Sequence, residues 1–349
     1  MDSWKNILRQ SVTTFSELKK YLNCDDGAIE DVISTFPMRI NPYFLNLIQQ
    51  YGEPLARQAV PDIRELHDSV GQIDPLAEED LSPVANLVHR YPDRALLLVT
   101  NKCAMYCRFC TRKRKVGTDK MVISSKSLDD AYEYLAANPQ IREVLVSGGD
   151  PFMLEDNKIE KILVKLRSIS SIEIIRIGTR VVSTLPMRIT SRLANMLQKY
   201  HPLYINTHFN HPFELTPESQ KACTTLADRG IPLGNHTVLL KGVNDDSETL
   251  RKLFVGLLKI RIKPYYLFQT DLTCGTNHFR TKTMKGIEIM QELIGHTSGL
   301  AIPTYAIDAP GGKGKIPLTP EYIISRGKTL KFKNFRGETC IYPEAIDSF

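Results

Sequence analysis

From residue 95 to residue 269 the chain alternates strand-like with helix-like runs, and this alternation constrains the fold more than any other feature. Strand-like runs stand at ALLLVT (95–100), REVLVSG (142–148), IEIIRIGT (172–179), LYINTHF (203–209), PLGNHTVLL (232–240) and KPYYLFQ (263–269). Between them apolar residues recur at helical spacing. Ile159, Ile162, Leu163, Leu166 and Ile169 form one such stripe; Leu193, Met196, Leu197 and Tyr200 form the next. Thr216 before Pro217 has the form of a helix cap followed by a first-turn proline. Strand–helix units spaced by about 30 residues need crossover connections, and so a parallel sheet covered by helices. Six units fall short of the eight that close a barrel. The expectation is an α/β fold, a partial (βα)6 barrel with an open, crescent-shaped sheet. Residues 1–90 read as an N-terminal, mainly helical region, 91–300 as the barrel, and 301–349 as a short C-terminal segment near its mouth.

At 349 residues, with 42% hydrophobic and 24% charged residues, the chain can bury a large core. Its formal net charge of +6 is mild, and fits small anionic ligands better than a dedicated nucleic-acid binder. The stretch MDSWKNILRQSVTTF has an acidic residue at position 2 and no apolar centre, unlike a signal peptide. No apolar run approaches the roughly 18 residues of a membrane span. The expectation is a cytoplasmic protein without a membrane partner. In that reducing compartment clustered cysteines point to metal or redox chemistry rather than disulfides. Cys24, Cys223, Cys274 and Cys340 lie singly and read as structural or incidental.

In parallel α/β folds chemistry gathers at the C-terminal ends of the strands. Four polar stretches follow strands here: CAMYCRFCTRKRK (103–115), SGGD (147–150), THFNH (207–211) and QTD (269–271). Cys103, Cys107 and Cys110 are spaced C-x3-C-x2-C. A structural zinc takes four ligands, commonly from paired cysteines or histidines, and no second pair stands in the sequence. A cubane iron–sulfur cluster normally has four thiolates; three would leave one iron open to another ligand. Cysteines that only pack, or that bind zinc, are the plainer alternative. The run Arg112–Lys115 is short for a nucleic-acid patch and lacks interleaved aromatic residues. Beside an anionic substrate, an arginine makes bidentate bonds to a carboxylate, which favours Arg112 for the site. The segment YAIDAPGGKGKIP (305–317) fails the phosphate-loop pattern at Ala309 and Ile316. What remains is Lys315 on a glycine-rich segment, seven residues after Asp308.

The cysteine spacing, with Phe109 before the last cysteine and a strand before the first, resembles the radical S-adenosylmethionine superfamily. RYPDRALLLVT, CTRKR, SGGD, NTHFNHP, GVND, PYYLFQTDL and DAPGGKGK, in this order, resemble the lysine 2,3-aminomutase family within it, from Trp4 to Pro343. The resemblance implies a [4Fe–4S] cluster on Cys103, Cys107 and Cys110. It also implies S-adenosylmethionine bound at Ser147, Gly148, Gly149 and Asp150, with His208 towards its adenosyl part. Lys315 matches the catalytic lysine that carries pyridoxal 5′-phosphate. Arg90, Tyr91 and Arg94 are candidates for the phosphate of that cofactor. By resemblance Arg112 pairs with the substrate α-carboxylate, and Asp271 and Asp308 hold the ε-ammonium of L-lysine. Physical chemistry supports that last assignment. Two carboxylates in an enclosed site repel each other unless a cation lies between them, and a lysine side chain supplies one with three donors. The implied reaction converts L-lysine to β-lysine by 1,2-amino migration through a pyridoxal imine, started by a 5′-deoxyadenosyl radical. It implies an electron donor such as a flavodoxin or ferredoxin, and leaves a homo-oligomer open, because the zinc site that helps form the long members' assembly is not matched here.

The sequence departs from the long members of that family at several places. Asp246 stands where their zinc site has a cysteine, and the chain stops at Phe349 without their cysteine-rich tail, so no zinc is expected. Phe109 replaces a histidine, His236 a glutamine and Phe268 a tyrosine. Three alternatives stay open at this point. One is the same chemistry on arginine or glutamate. Another is supply of β-lysine for elongation factor P. The third is a zinc- or cluster-bearing interaction protein whose basic run binds nucleic acid.

Overall fold

The computed structural model describes residues 3–23 and 29–345; Cys24 lies outside them. Nine strands form one sheet in chain order: β1 (Leu87–Tyr91), β2 (Arg94–Leu98), β3 (Glu143–Ser147), β4 (Ile174–Gly178), β5 (Leu203–Thr207), β6 (Leu233–Leu239), β7 (Ile262–Gln269), β8 (Thr304–Ala309) and β9 (Gly314–Pro317). β2 to β8 run parallel, while β1 and β9 pair antiparallel at the two edges. The six expected strands are present, and β8 adds a seventh parallel one. Its YAIDA sequence has the apolar content of a strand. The glycines that follow, however, drew the reading of 305–317 towards a loop.

Burial alternates along the strands, as it must when one face meets helices and the other lines an interior. Val144 and Val146 in β3, and Ile175 and Ile177 in β4, are buried against the helices, while their neighbours are half-buried. Helix Asp156–Arg167 covers this layer with Ile159, Ile162, Leu163 and Leu166; Ile169 falls just past its end. Thr216 caps helix Pro217–Ala227 by accepting from the Ser219 N–H, as its sequence implies. Cys223 on that helix belongs to the same apolar core.

The sheet curls until its two edges meet. The backbone N–H of Lys315 on β9 donates to the Tyr91 hydroxyl on β1 at 3.0 Å, and Arg90 on β1 pairs with Asp308 on β8 at 3.1 Å. The result is a nearly closed barrel whose seam is stitched by side chains instead of a strand ladder.

The segment before β1 covers one end. Its apolar cluster, including Leu18, Ile40, Phe44 and Leu55, also takes in Met105 of the cysteine loop and packs against Cys107. Asn41 caps helix Pro42–Tyr51 and donates its amide to the Ala104 and Thr184 carbonyls at 3.1 and 2.8 Å. Beyond β9, strands β10 (Ile323–Ser325), β11 (Thr329–Lys333) and β12 (Thr339–Pro343) form a small, largely exposed antiparallel sheet. Among the described residues no helix is long and apolar enough to cross a membrane.

Candidate active site at the strand tips

The cysteine loop leaves the tip of β2 and is tied to the turn after β3. The N–H groups of Gly149 and Asp150 donate to the Thr100 and Lys102 carbonyls at 2.6 and 2.8 Å. This close approach explains the two glycines. A Cβ on Gly148 would stand 2.3 Å from the Thr100 oxygen, and one on Gly149 2.4 Å from the Lys102 oxygen; Gly148 also has a φ of +142°. The Asp150 carboxylate accepts from the Thr179 hydroxyl at 2.8 and 2.9 Å. It also accepts from the N–H groups of Phe152, Arg180 and Val181. Burial pushes its pKa up against those donors. Asp150 therefore binds the tips of β3 and β4 together, which leaves the half-buried Ser147 and the glycine backbone of SGGD for a ligand.

Cys107 Sγ accepts from Arg180 Nη1 at 2.8 Å, and Cys110 Sγ from the Arg112 N–H at 3.4 Å. Burial raises the Cys103 thiol well above its ordinary value and Cys110 to about 11, with the neighbouring thiols adding to both. A metal must displace those protons. Arg39 near Cys103, Arg112 and Lys113 near Cys110, and Arg180 at Cys107 stabilise the thiolates that result. Among the described residues no three His, Cys, Asp or Glu side chains converge as ligands of a single ion. A cubane gives each thiolate its own iron and so calls for wider spacing. Three half-buried cysteines ringed by cations fit a [4Fe–4S] cluster with one iron left for another ligand. Beside them, His208 bonds Asn210 at 3.2 Å, and its ring lies 5.5 Å from that of Phe109. Burial, with the Arg180 charge, holds His208 well below its ordinary value and therefore neutral.

Each cation of the basic run has an acidic partner from the segment before β1. Arg112 pairs with Glu78, and Lys113 with Glu65 at 2.7 Å. Arg114 meets Asp74 and Glu79 at 3.2 and 3.0 Å, and Lys115 meets Glu79 at 2.8 Å. Glu65 also takes both edge donors of the buried Arg108. The run fastens the cysteine loop to the N-terminal region. The sequence does carry the complementary signal, in the acids of AEED (77–80), but nothing in their spacing pairs them across more than 30 positions.

The second half of the site lies at the seam of the barrel. Lys315 Nζ stands 3.2 and 3.3 Å from the two Asp308 oxygens and 5.3 Å from the centre of the Phe268 ring. Phe268 stacks on Tyr266 at 4.9 Å and meets His236 edge-on at 5.2 Å. Burial lowers His236 to about 3, helped by the charges of Lys315 and Arg176. On the other side Arg94 lies over the Tyr91 ring at 3.9 Å and pairs with Asp93. Asp271, in the loop after β7, is pushed up to about 7 by burial and by the Asp308 charge, against Lys315 and Arg90. Aromatic walls, an amine with a carboxylate partner, and arginines at the rim fit pyridoxal phosphate.

The structure thus gathers Lys315, Asp308, Asp271, Arg90 and Tyr91 at one place, with Arg94 behind Tyr91. Cys103, Cys107, Cys110, the glycine turn and His208 form the adjoining half. Arg112 reaches Gly148 O at 3.4 Å in the cysteine half and is bound to Glu78, whose charge acts on Asp271 of the other half. Asp246 caps helix Ser247–Lys259 by accepting from the Thr249 N–H. Sequence reasoning missed Glu78 and Glu65. It also missed the buried group of Arg180, Gln58 and Glu214, whose members lie far apart in the chain.

The family model described as Lysine-2,3-aminomutase matches residues 290–348, and that described as Radical SAM superfamily matches residues 97–254. The L-lysine 2,3-aminomutase of Fusobacterium nucleatum is 47% identical over 350 residues, covering 98% of this chain and 82% of that protein. That of Acetoanaerobium sticklandii is 48% identical over 350 residues, covering 98% and 84%. A glutamate 2,3-aminomutase of Clostridioides difficile is 44% identical over 334 residues, covering 93% and 79%.

Proposed function

The chain belongs to the lysine 2,3-aminomutase family of the radical SAM superfamily, and we propose that it moves the α-amino group of L-lysine to the β-carbon to give β-lysine. As a member of that family it is an isomerase. The observation that carries the choice of substrate is the pair Asp271 and Asp308 at one site beside Lys315. When bound, the cluster with S-adenosylmethionine supplies a carbon radical, and pyridoxal phosphate supplies an imine through which nitrogen passes between adjacent carbons.

In this reading Cys103, Cys107 and Cys110 hold the cluster, and the Gly148–Gly149 backbone meets S-adenosylmethionine, with His208 nearby. Lys315 holds pyridoxal, Arg90, Tyr91 and Arg94 surround its phosphate, and Arg112 anchors the substrate carboxylate. An electron donor such as a reduced flavodoxin or ferredoxin, in the reducing cytoplasm, completes the reaction. Asp308 has Lys315 and Arg90 as partners. The ε-ammonium of the substrate, lying between Asp271 and Asp308, would balance the charge of the two carboxylates. A glutamate side chain would instead bring a third carboxylate to Asp271 and Asp308, and like charges at that distance repel. This favours lysine over glutamate.

Anaerobic reconstitution with iron, sulfide and pyridoxal phosphate, then reductant, S-adenosylmethionine and L-lysine, tests the reading. Wild type is expected to form β-lysine. Asp308→Asn is expected to lose at least about thirtyfold in kcat/KM, since an unpaired buried charge costs about 2–5 kcal/mol. Cleavage of S-adenosylmethionine with conversion of arginine or glutamate in preference to lysine would overturn the assignment. The pH dependence offers a further check. Asp271 titrates near 7 and binds a cation only when ionised, so KM for lysine is expected to fall as pH rises through about 7 and then level off. Asp271→Asn should abolish that limb of the profile. Its persistence in the variant would assign the limb to another group.

A further inference from the structure

Arg112 carries five N–H donors in a planar fork, and the structure uses them unequally. Nε donates to Glu78 Oε2 at 2.8 Å and Nη2 to Glu78 Oε1 at 2.5 Å. These two nitrogens share one edge of the fork, so the carboxylate of Glu78 occupies that edge completely. Among the described residues Nη1 reaches only Gly148 O, at 3.4 Å, a long contact that leaves its hydrogens available. The end formed by Nη1 and the second hydrogen of Nη2 is therefore open, on the side of the glycine turn at the strand tips. Glu78 itself is 4% exposed, and Arg112 is its direct partner through both oxygens.

We propose that Glu78 is the positioning residue for substrate recognition: it grips Arg112 by its Nε–Nη2 edge so that the Nη1–Nη2 edge faces the α-carboxylate of the amino acid. The inference rests on the reading of Arg112 as the carboxylate anchor. An arginine side chain has rotamer freedom to lose when it is fixed. Fixed by Glu78 in the folded protein, Arg112 does not lose it again on binding. Glu78 also balances the buried charge of Arg112, so the anchor can wait in an enclosed site without a ligand. Recognition then depends on a second carboxylate matching the free edge, which a carboxamide cannot do, because its NH2 group opposes one of the two donors.

The test compares L-lysine with L-lysinamide, which keeps the α-amine and the ε-ammonium but lacks the carboxylate. Binding of each to the reconstituted holoenzyme is read from the change in pyridoxal absorbance, for wild type, Arg112→Lys, Glu78→Gln and Glu78→Asp. Iron and pyridoxal contents serve as controls for folding. Wild type is expected to prefer lysine strongly. Glu78→Gln is expected to lose about tenfold of that preference, because Gln offers one acceptor to the two donors of the edge. Glu78→Asp keeps the charge but draws the fork back by one methylene, so it should fall between them; it also keeps the test alive if the Gln variant does not fold. Loss of preference in Arg112→Lys but not in either Glu78 variant would overturn the role of Glu78 alone. An unchanged preference in Arg112→Lys would overturn the anchor reading itself. Tighter lysine binding in Glu78→Gln would show that Glu78 competes with substrate for Arg112, and would also overturn the proposal.

Discussion

The Lys315→Ala protein, reconstituted anaerobically, is expected to form no β-lysine and to retain no visible pyridoxal absorbance after gel filtration. It should still bind iron and cleave S-adenosylmethionine slowly. The separation follows from the geometry. Lys315 sits at the barrel seam and meets Tyr91 through its backbone N–H, which alanine keeps. Asp308 loses one cation but keeps Arg90 at 3.1 Å. The lysine side chain is partly exposed, 31% by relative area, so the lost ion pair should cost the fold about 1 kcal/mol or less. What disappears is an amine able to bond covalently to a carbonyl carbon. Lys315→Arg sharpens the result: it restores a cation to Asp308 but not that chemistry, so it should be as inactive as alanine. Pyridoxal still firmly held by either variant, with its absorbance unchanged, would remove Lys315 from its role.

The parallel core was legible because its periodicities are local. Ile159 to Leu166 and the alternation in β3 and β4 each report burial within one element. Strand β8 was harder to read, because the GGKG that follows it dominates the local composition. The antiparallel edge strands pair locally, β1 with β2 through Tyr91 and Arg94, and β9 with β8 through Gly314 and Ala309. The seam between them is a different matter, because the curled sheet brings Tyr91 to Lys315 and Arg90 to Asp308 across 224 and 218 positions. No local pattern encodes such a meeting. The same holds for the basic run: its charges were plain, but their partners at Glu65, Asp74, Glu78 and Glu79 are set by the fold. SGGD reads as an ordinary turn until the approach of Thr100 and Lys102 shows why both glycines are needed. Residue type and order therefore located the chemistry, whereas the contacts that hold it in place required the tertiary structure.

Replacement of Cys103, Cys107 or Cys110 by alanine, one at a time, is expected to leave a protein without a stable cluster and without cleavage of S-adenosylmethionine. Each half-buried cysteine packs in a different way. Cys103 and Cys110 pack with Leu98, Val116 and Met121, while Cys107 lies between the N-terminal cluster and Phe109. A substitute ligand would have to enter that packing, and water brings no thiolate charge to set against Arg180, Arg112 and Lys113. Loss of Cys107 leaves Arg180 with Glu214 and Gln58, so the arginine stays paired and the fold is expected to survive. Double variants should then be no worse than single ones, because three thiolates act as a unit. Cys223→Ala is the contrasting case. That residue is wholly buried in the apolar core, so its truncation should lower stability by about 1 kcal/mol and leave iron content unchanged. Iron and sulfide analysis, the EPR signal of the reduced protein and 5′-deoxyadenosine formation measure each step separately. Full iron and cleavage activity in any one of the three variants would show that its sulfur is not a ligand. Loss in Cys223→Ala as well would trace the effect to folding rather than to the cluster.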